Sequence, residues 1–211
     1  MLEIVTLTLG PVTTNAYLIA NSDTGEAAVI DPAWDGQSIA AEAKRRNWQI
    51  GQLWITHAHF DHIGGAGDLA HILETPPIIG LHPDDRPLWD NQGGAALFGF
   101  TLPASPAPTL NLAHKMELRL GGIPFQVLHT PGHTPGHCVF YCAEAVVCFC
   151  GDLIFQHSVG RTDLPGGDWD VLVTSIRTQI FSLPDETRLL SGHGPETTVG
   201  LEKSGNPFVH A

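Results

Sequence analysis

Three imidazoles and one carboxylate fall within six residues of the segment Thr56-His57-Ala58-His59-Phe60-Asp61-His62-Ile63-Gly64-Gly65. Imidazole and carboxylate donors without a thiolate suit zinc, iron or manganese. In extended backbone alternate side chains share a face, so His57 and His59 can converge on one ion. Asp61 and His62 fall where the chain must turn into a helix, so they can address a second ion beside the first. Three later segments offer matching groups. His133 stands in a Pro-Gly turn, Thr130-Pro131-Gly132-His133-Thr134-Pro135-Gly136, which holds a histidine rigidly at a strand end as third ligand to the first ion. Asp152 follows Gly151 after an apolar run, and its two oxygens can bridge two cations. His193 stands in Gly192-His193-Gly194-Pro195 and would complete the second ion.

Each candidate ligand sits at the exit of a strand-like run. Such runs occupy residues 4–9, 16–20, 27–30, 53–56, 78–81, 116–120, 125–128, 138–141, 146–150 and 187–190, and helical spacing of apolar residues covers 37–46, 65–73 and 169–181. Strands interrupted by helices, with hairpin signals such as Gly121-Gly122, predict an α/β (α+β) chain of two mostly antiparallel sheets face to face with helices outside. No linker, low-complexity stretch or fixed-period repeat divides the sequence, so residues 1–211 are expected to form one domain.

The order H-x-H-x-D-H, T-P-G-H-T-P-G, G-D, G-H-G-P resembles the metallo-β-lactamase-fold hydrolases along nearly the whole chain. The run Gly160-Arg161-Thr162-Asp163-Leu164-Pro165-Gly166-Gly167-Asp168 resembles their short glyoxalase II-like (hydroxyacylglutathione hydrolase-like) branch. The resemblance implies a four-layer αββα sandwich with the metals at one edge. It implies a first metal on His57, His59 and His133, a second on Asp61, His62 and His193, and Asp152 shared between them with a hydroxide. Persulfide dioxygenases of the same superfamily share the G-R-T-D run but keep one iron on two histidines and an aspartate. Their closing motif usually reads H-D-Y, whereas this chain reads Gly192-His193-Gly194-Pro195-Glu196-Thr197-Thr198, which favours the two-metal hydrolase. The zinc-binding cysteine of the commonest metallo-β-lactamase subclass has no counterpart at Asp152, which disfavours a lactamase proper.

The expected reaction is therefore hydrolysis of a small-molecule thioester, such as S-lactoylglutathione or a related acyl thioester, with Asp61 and Asp152 as the catalytic carboxylates and two divalent ions as cofactors. A mononuclear iron persulfide dioxygenase is the alternative, with a lactonase or a non-catalytic binding module behind it. Full-length glyoxalase II enzymes carry a C-terminal helical domain for glutathione; this sequence ends soon after His193, so glutathione itself is not assured as part of the substrate. Arg161 either grips an anionic end of the substrate or clamps its own loop through Asp163. Residues 92–110 hold no charge and read as a mobile apolar loop, in which Phe98, Phe100 and Leu102 either cover a substrate or pack among themselves. Asp31-Pro32 is either an ordinary turn or a carboxylate placed to orient a ligating imidazole. His129 and His137 are expected to hydrogen-bond structurally.

A formal net charge of −12 with only ten Lys plus Arg argues against nucleic-acid binding, because neutralising phosphates needs clustered cations. No apolar run approaches the roughly twenty residues needed to span a bilayer, and the N-terminus alternates like a first strand and carries no basic leader. A cytoplasmic protein without a membrane partner is the expectation. Cys138, Cys142, Cys148 and Cys150 read as reduced core residues, each pair on one face of its strand, with Cys150 also weighed as a redox-sensitive neighbour of Asp152.

Overall fold

The computed structural model describes residues 1–210. Its first sheet runs in the order β1 (Leu2–Leu9), β2 (Thr14–Asn21), β3 (Glu26–Ile30), β4 (Gln49–Trp54), β5 (Ile78–Leu81), β6 (Leu110–Asn111). The second is ordered β14 (Thr197–Thr198), β13 (Arg188–Ser191), β10 (Val147–Gly151), β9 (Cys138–Cys142), β8 (Ile123–His129), β7 (Glu117–Leu120). A small hairpin of β11 (Ile154–Phe155) and β12 (Ser158–Val159) lies between β10 and β13 in sequence.

Period-two alternation builds the layers. Tyr17, Ile19, Ala28, Ile30 and Trp54 turn inward from the first sheet onto Phe125, Val127, Phe140 and Phe149 of the second. Their neighbours Leu18, Val29 and Leu53 turn outward onto Ile39, Ala43 and Leu69 of helices α1 (Gly36–Arg45) and α3 (Ala66–Ile72). On the far side Leu128, Val139, Cys148 and Cys150 meet Leu172, Ile176 and Ile180, from α5 (Trp169–Ser175) and the π-helical turn Ile176–Ile180 that continues it. This is the expected four-layer αββα order. Helices α1 and α5 begin on an aspartate: Asp35 accepts from the Ser38 amide and Asp168 from the Val171 amide, satisfying donors that a helix start leaves free. The remaining α-helices among the described residues are α2 (Phe60–Ile63), α4 (Arg86–Asp90) and α6 (Val199–Gly205).

The strand directions explain why one edge collects the chemistry. β3 pairs parallel with β4, so the segments after Ile30 and Trp54 leave from the same end. In the second sheet β10 is parallel to β13 and antiparallel to β9, which is antiparallel to β8, so β8, β10 and β13 all run one way. Their carboxyl ends deliver His133, Asp152 and His193. The first sheet departs from the antiparallel expectation: it is antiparallel from β1 to β3 but parallel from β3 through β6. The crossovers through α1 and α3 impose that, since a helix between two strands returns the chain to the same starting edge.

The four cysteines are free and buried. Cys138 and Cys142 lie between the sheets and Cys148 and Cys150 under α5, each pair on one face as expected. Burial pushes the Cys150 thiol well above its usual range, and its Sγ faces the Cys148 carbonyl. That environment corrects the redox reading, because a thiol kept protonated in an apolar core is inert.

Candidate metal centre

β4 ends at Trp54, and after a bend at Thr56 the segment reaches His59 in extended backbone before turning into α2, with the His57 and His59 rings 4.9 Å apart. His57 and His59 therefore share a face and meet His133 from the opposite sheet. His59 Nδ1 lies 2.9 Å from His133 Nε2, which is 3.2 Å from His57 Nε2. A tetrahedral ion with metal–nitrogen bonds of about 2.0–2.1 Å would separate its ligands by about 3.3 Å, so these three fit one cation. Asp61 and His62 sit on the first turn of α2, and His62 Nε2 comes within 3.6 Å of Asp61 Oδ2. His193 Nε2 lies 3.3 Å from the same oxygen. Asp61, His62 and His193 thus form a second group of three.

Asp152 stands between the groups. Its Oδ1 is 3.3 Å from His62 Nε2, and its Oδ2 is 3.5 Å from His193 Nε2 and 3.7 Å from His133 Nε2. All seven residues singled out as ligands come together, and all but His193 are at least nine-tenths buried or nearly so. Among the described residues, His62 Nε2 and Asp152 Oδ1 are buried with no hydrogen-bond partner. Buried polar atoms in folded proteins are nearly always satisfied; His137 Nε2 and Thr187 Oγ1 are two further exceptions, outside the pair that faces across the two ligand groups. Two lone-pair donors left facing each other fit a cation held between them.

The partners of the outer ring nitrogens fix which nitrogen faces inward. His62 Nδ1 donates to Asp31 Oδ2 at 2.8 Å, and His133 Nδ1 donates to the Arg161 carbonyl at 2.7 Å. The Thr56 hydroxyl gives its proton to Asp31 Oδ2 at 2.6 Å, so it accepts from His57 Nδ1 at 3.0 Å. Asp31 therefore orients one imidazole of each group, directly for His62 and through Thr56 for His57. The Asp31-Pro32 turn resolves in favour of this role, and Asp31 takes a left-handed φ of 49° to fill it.

Electrostatics divide the two groups. Burial, with the neighbouring histidine charges, holds His57 well below its usual range and His59 at about 3; burial also lowers His133. The first group is thus three neutral imidazoles. Burial also opposes charge on His193 and His62, but carboxylates outweigh it: Asp152 and Asp61 raise His193 to about 9, and with Asp31 they raise His62 well above its usual range. Burial would raise Asp61, yet His62 and His193 hold it at about 2, and Asp152 is held low against burial by the same two residues.

The metallo-beta-lactamase superfamily profile matches residues 9–193. The chain belongs to the metallo-beta-lactamase superfamily. It is 37% identical over 192 residues to the hydroxyacylglutathione hydrolase GloC of Haemophilus influenzae, covering 90% of each chain. The structure of a protein known as TTHA1623 in a di-iron-bound form matches with a TM-score of 0.88 and 42% identity over 97% of this chain and 100% of that one. That of the B3 metallo-beta-lactamase BLEG-1 matches with a TM-score of 0.91 and 37% identity over the whole of both. This superfamily member is a metallo-hydrolase by relationship, and its His/Asp clusters suit divalent metals.

Arg161 Nε and a terminal nitrogen bind Asp163 at 2.6 and 2.7 Å on the surface, the loop clamp weighed as its second reading. Of the expected loop 92–110, the part Gln92–Phe98 is 3₁₀-helical with a left-handed kink at Gly93 and Gly94, Gly93 packing on the Phe60 amide, while 99–109 has no regular structure. Leu102 is buried and cannot cover a substrate. Phe100 packs against Trp34 and Phe60, whereas Phe98 leans on Phe60 and stays 45% exposed beside the exposed Leu97. His129 and His137 hydrogen-bond to the Pro135 carbonyl and the Thr130 hydroxyl, as expected. A further group, His82, Asp84 and His129, lies apart from the centre; its imidazoles stack 4.0 Å apart at 7°, so their in-plane lone pairs do not converge.

Sequence reasoning missed the residues that position the ligands across the fold. Thr14 donates to Asp61 Oδ2 at 2.9 Å, and Asn15 donates from its amide side chain to the Ser191 and Gly194 carbonyls, fixing the His193 loop. Asp85 is a further residue of this kind, accepting from the Ala58 amide. The polar run Thr13-Thr14-Asn15 leading into β2 is the available signal, since hydroxyl and amide groups at a strand end need partners.

Proposed function

We propose that this metallo-hydrolase holds two divalent cations, zinc or alternatively iron or manganese, and cleaves a small acyl thioester such as S-lactoylglutathione. The observation that carries the reading is Asp152, whose two oxygens reach toward ring nitrogens of both ligand groups. His57, His59 and His133 would hold the first ion, Asp61, His62 and His193 the second, with Asp152 shared. When bound, such a pair lowers the pKa of a shared water to about 7 and polarises the substrate carbonyl. Asp61, kept ionised and steadied by Thr14, accepts a hydrogen bond from the attacking water and aims it. His57 and His133 stay neutral and so remain electron-pair donors at neutral pH. A thiol of ordinary pKa of about 8.5 leaves as thiolate without a strong general acid. The name of the GloC relative supports the same choice, and the net charge of −12 supports a small-molecule substrate over nucleic acid.

Metal analysis of freshly purified protein should approach two ions per chain, and thioester turnover should proceed anaerobically. One iron per chain, with oxygen uptake tracking added glutathione persulfide and no thioester cleavage, would replace this reading with the dioxygenase. Faster turnover of a β-lactam than of any thioester would replace it with the lactamase reaction.

A further inference from the structure

Asp85 ends the 3₁₀ turn Pro83–Asp85 after β5 and is fully buried. Its Oδ2 accepts from the Ala58 amide at 2.9 Å and from the Thr134 hydroxyl at 2.8 Å, while Oδ1 accepts from the Gly136 amide at 2.6 Å. Ala58 lies between His57 and His59 on the first sheet's loop; Thr134 and Gly136 flank the His133 turn of the second. One carboxylate thus joins the two segments whose imidazoles make up the first ligand group. Gly136 permits the contact, since a Cβ there would lie 2.6 Å from the Asp85 amide nitrogen and 2.7 Å from Oδ1.

We propose that Asp85 is a positioning residue that holds the two halves of the His57–His59–His133 group at metal-binding distance across the two sheets; this rests on the dinuclear reading. Asp85 touches neither substrate nor metal. Its effect is geometric: three donors buried away from water and satisfied by one acceptor fix both loops at once, whereas leaving any of them unpaired is costly. Groups that orient ligands in this way are worth about 10–100-fold in metal affinity.

The test is Asp85→Asn, which keeps shape but presents an amide where three donors converge. Metal affinity is read by competition with a chromogenic chelator, and site identity by the visible spectrum of the cobalt-loaded protein. The first-group cobalt band should titrate about 10–100-fold more weakly than in the parent, while the second ion keeps its affinity. Thr134→Val should give a smaller loss of the same kind, and Thr134→Ser should restore the parent value. Those two variants carry the test if Asp85→Asn does not fold. Unchanged affinity in Asp85→Asn would overturn the proposal. So would equal weakening of both sites with a lower melting temperature, because that marks a general structural role. A parent protein that binds only one ion would instead defeat the dinuclear reading, whatever the variants do.

Discussion

Gly192 shows how little slack the centre has. A Cβ at this position would fall 2.3 Å from Asp152 Oδ1 and 2.6 Å from His62 Cε1, so even a methyl group displaces the carboxylate that faces both ligand groups. Misplacing a reacting or orienting group by about 1 Å costs about 100-fold in rate. Gly192→Ala should therefore lose about that much in kcat/KM for a thioester in metal-supplemented buffer, and its melting temperature will show whether the fold has survived. Arg161 poses a different question, because its guanidinium is spent on exposed Asp163 while its carbonyl holds His133. Exposed ion pairs contribute little stability, so exchange for a substrate carboxylate is easy. Arg161→Ala should raise KM more for an acidic than for a neutral thioester with no change in melting temperature; equal effects on both substrates would leave Arg161 a loop clamp alone. The ligands themselves were legible because histidines two apart in extended backbone, or set in Pro-Gly turns at strand ends, announce their direction locally. Asp85 and Thr14 were not, since their partners lie 27 to 51 residues away and neither residue stands in a recognisable pattern.

At the scale of elements, the 3₁₀ segment Gln92–Phe98 is tied to the metal-bearing loop through Gly93, whose φ is +64° and whose Cβ would meet the Phe60 amide nitrogen at 2.3 Å. Gly93→Ala has to lift this segment or shift Phe60, the residue between His59 and Asp61. A left-handed non-glycine residue alone costs about 1–3 kcal/mol, so calorimetry should show a clear fall in stability; an unchanged melt would mean the segment is loosely held. Phe98 offers the complementary case. Being half exposed on Phe60, it should tolerate Phe98→Ala with little loss of stability, yet thioesters with longer acyl chains should lose affinity if this shelf meets the substrate. An identical KM across chain lengths would remove Phe98 from the substrate site. Long elements were legible from their alternation or their helical spacing, with ends displaced by a residue or a few. The parallel half of the first sheet was not, because pairing direction is set by crossovers that leave no local mark on strands such as Ala27-Ala28-Val29-Ile30. Short helices such as α2 and α4 were missed for a related reason: four or five residues are too few to display a period.

Across the whole molecule the ligand cluster sets how stability follows pH when metal is withdrawn. His57, His59 and His133 have folded pKa values below the ordinary 6.5, so the unfolded chain binds their protons more readily; this destabilises the metal-free protein as pH falls below about 6.5. His193, raised to about 9, and His62, raised as well, act in the opposite sense. The His193 contribution is full below about 6.5 and is lost as pH rises toward about 9, and that of His62 is lost in the same direction as pH rises through its own raised pKa. Asp61, lowered to about 2, adds a loss only in strong acid, as pH falls below about 3.8. The chelated protein should therefore be most stable near pH 6.5 and weaken on both sides. Metals compete with protons for the lone pairs of His62 and His193, so cations replace on the alkaline side the stabilisation that deprotonation removes. The rise in melting temperature on adding zinc to chelated protein should accordingly grow between pH 6.5 and 9, and it should also grow with zinc concentration, since a ligand bound only by the folded state stabilises by mass action. Melts of chelated and zinc-loaded protein across this range check it; a zinc-induced shift that shrinks from pH 6.5 to 9 would mean that His62 and His193 are not where the second ion binds.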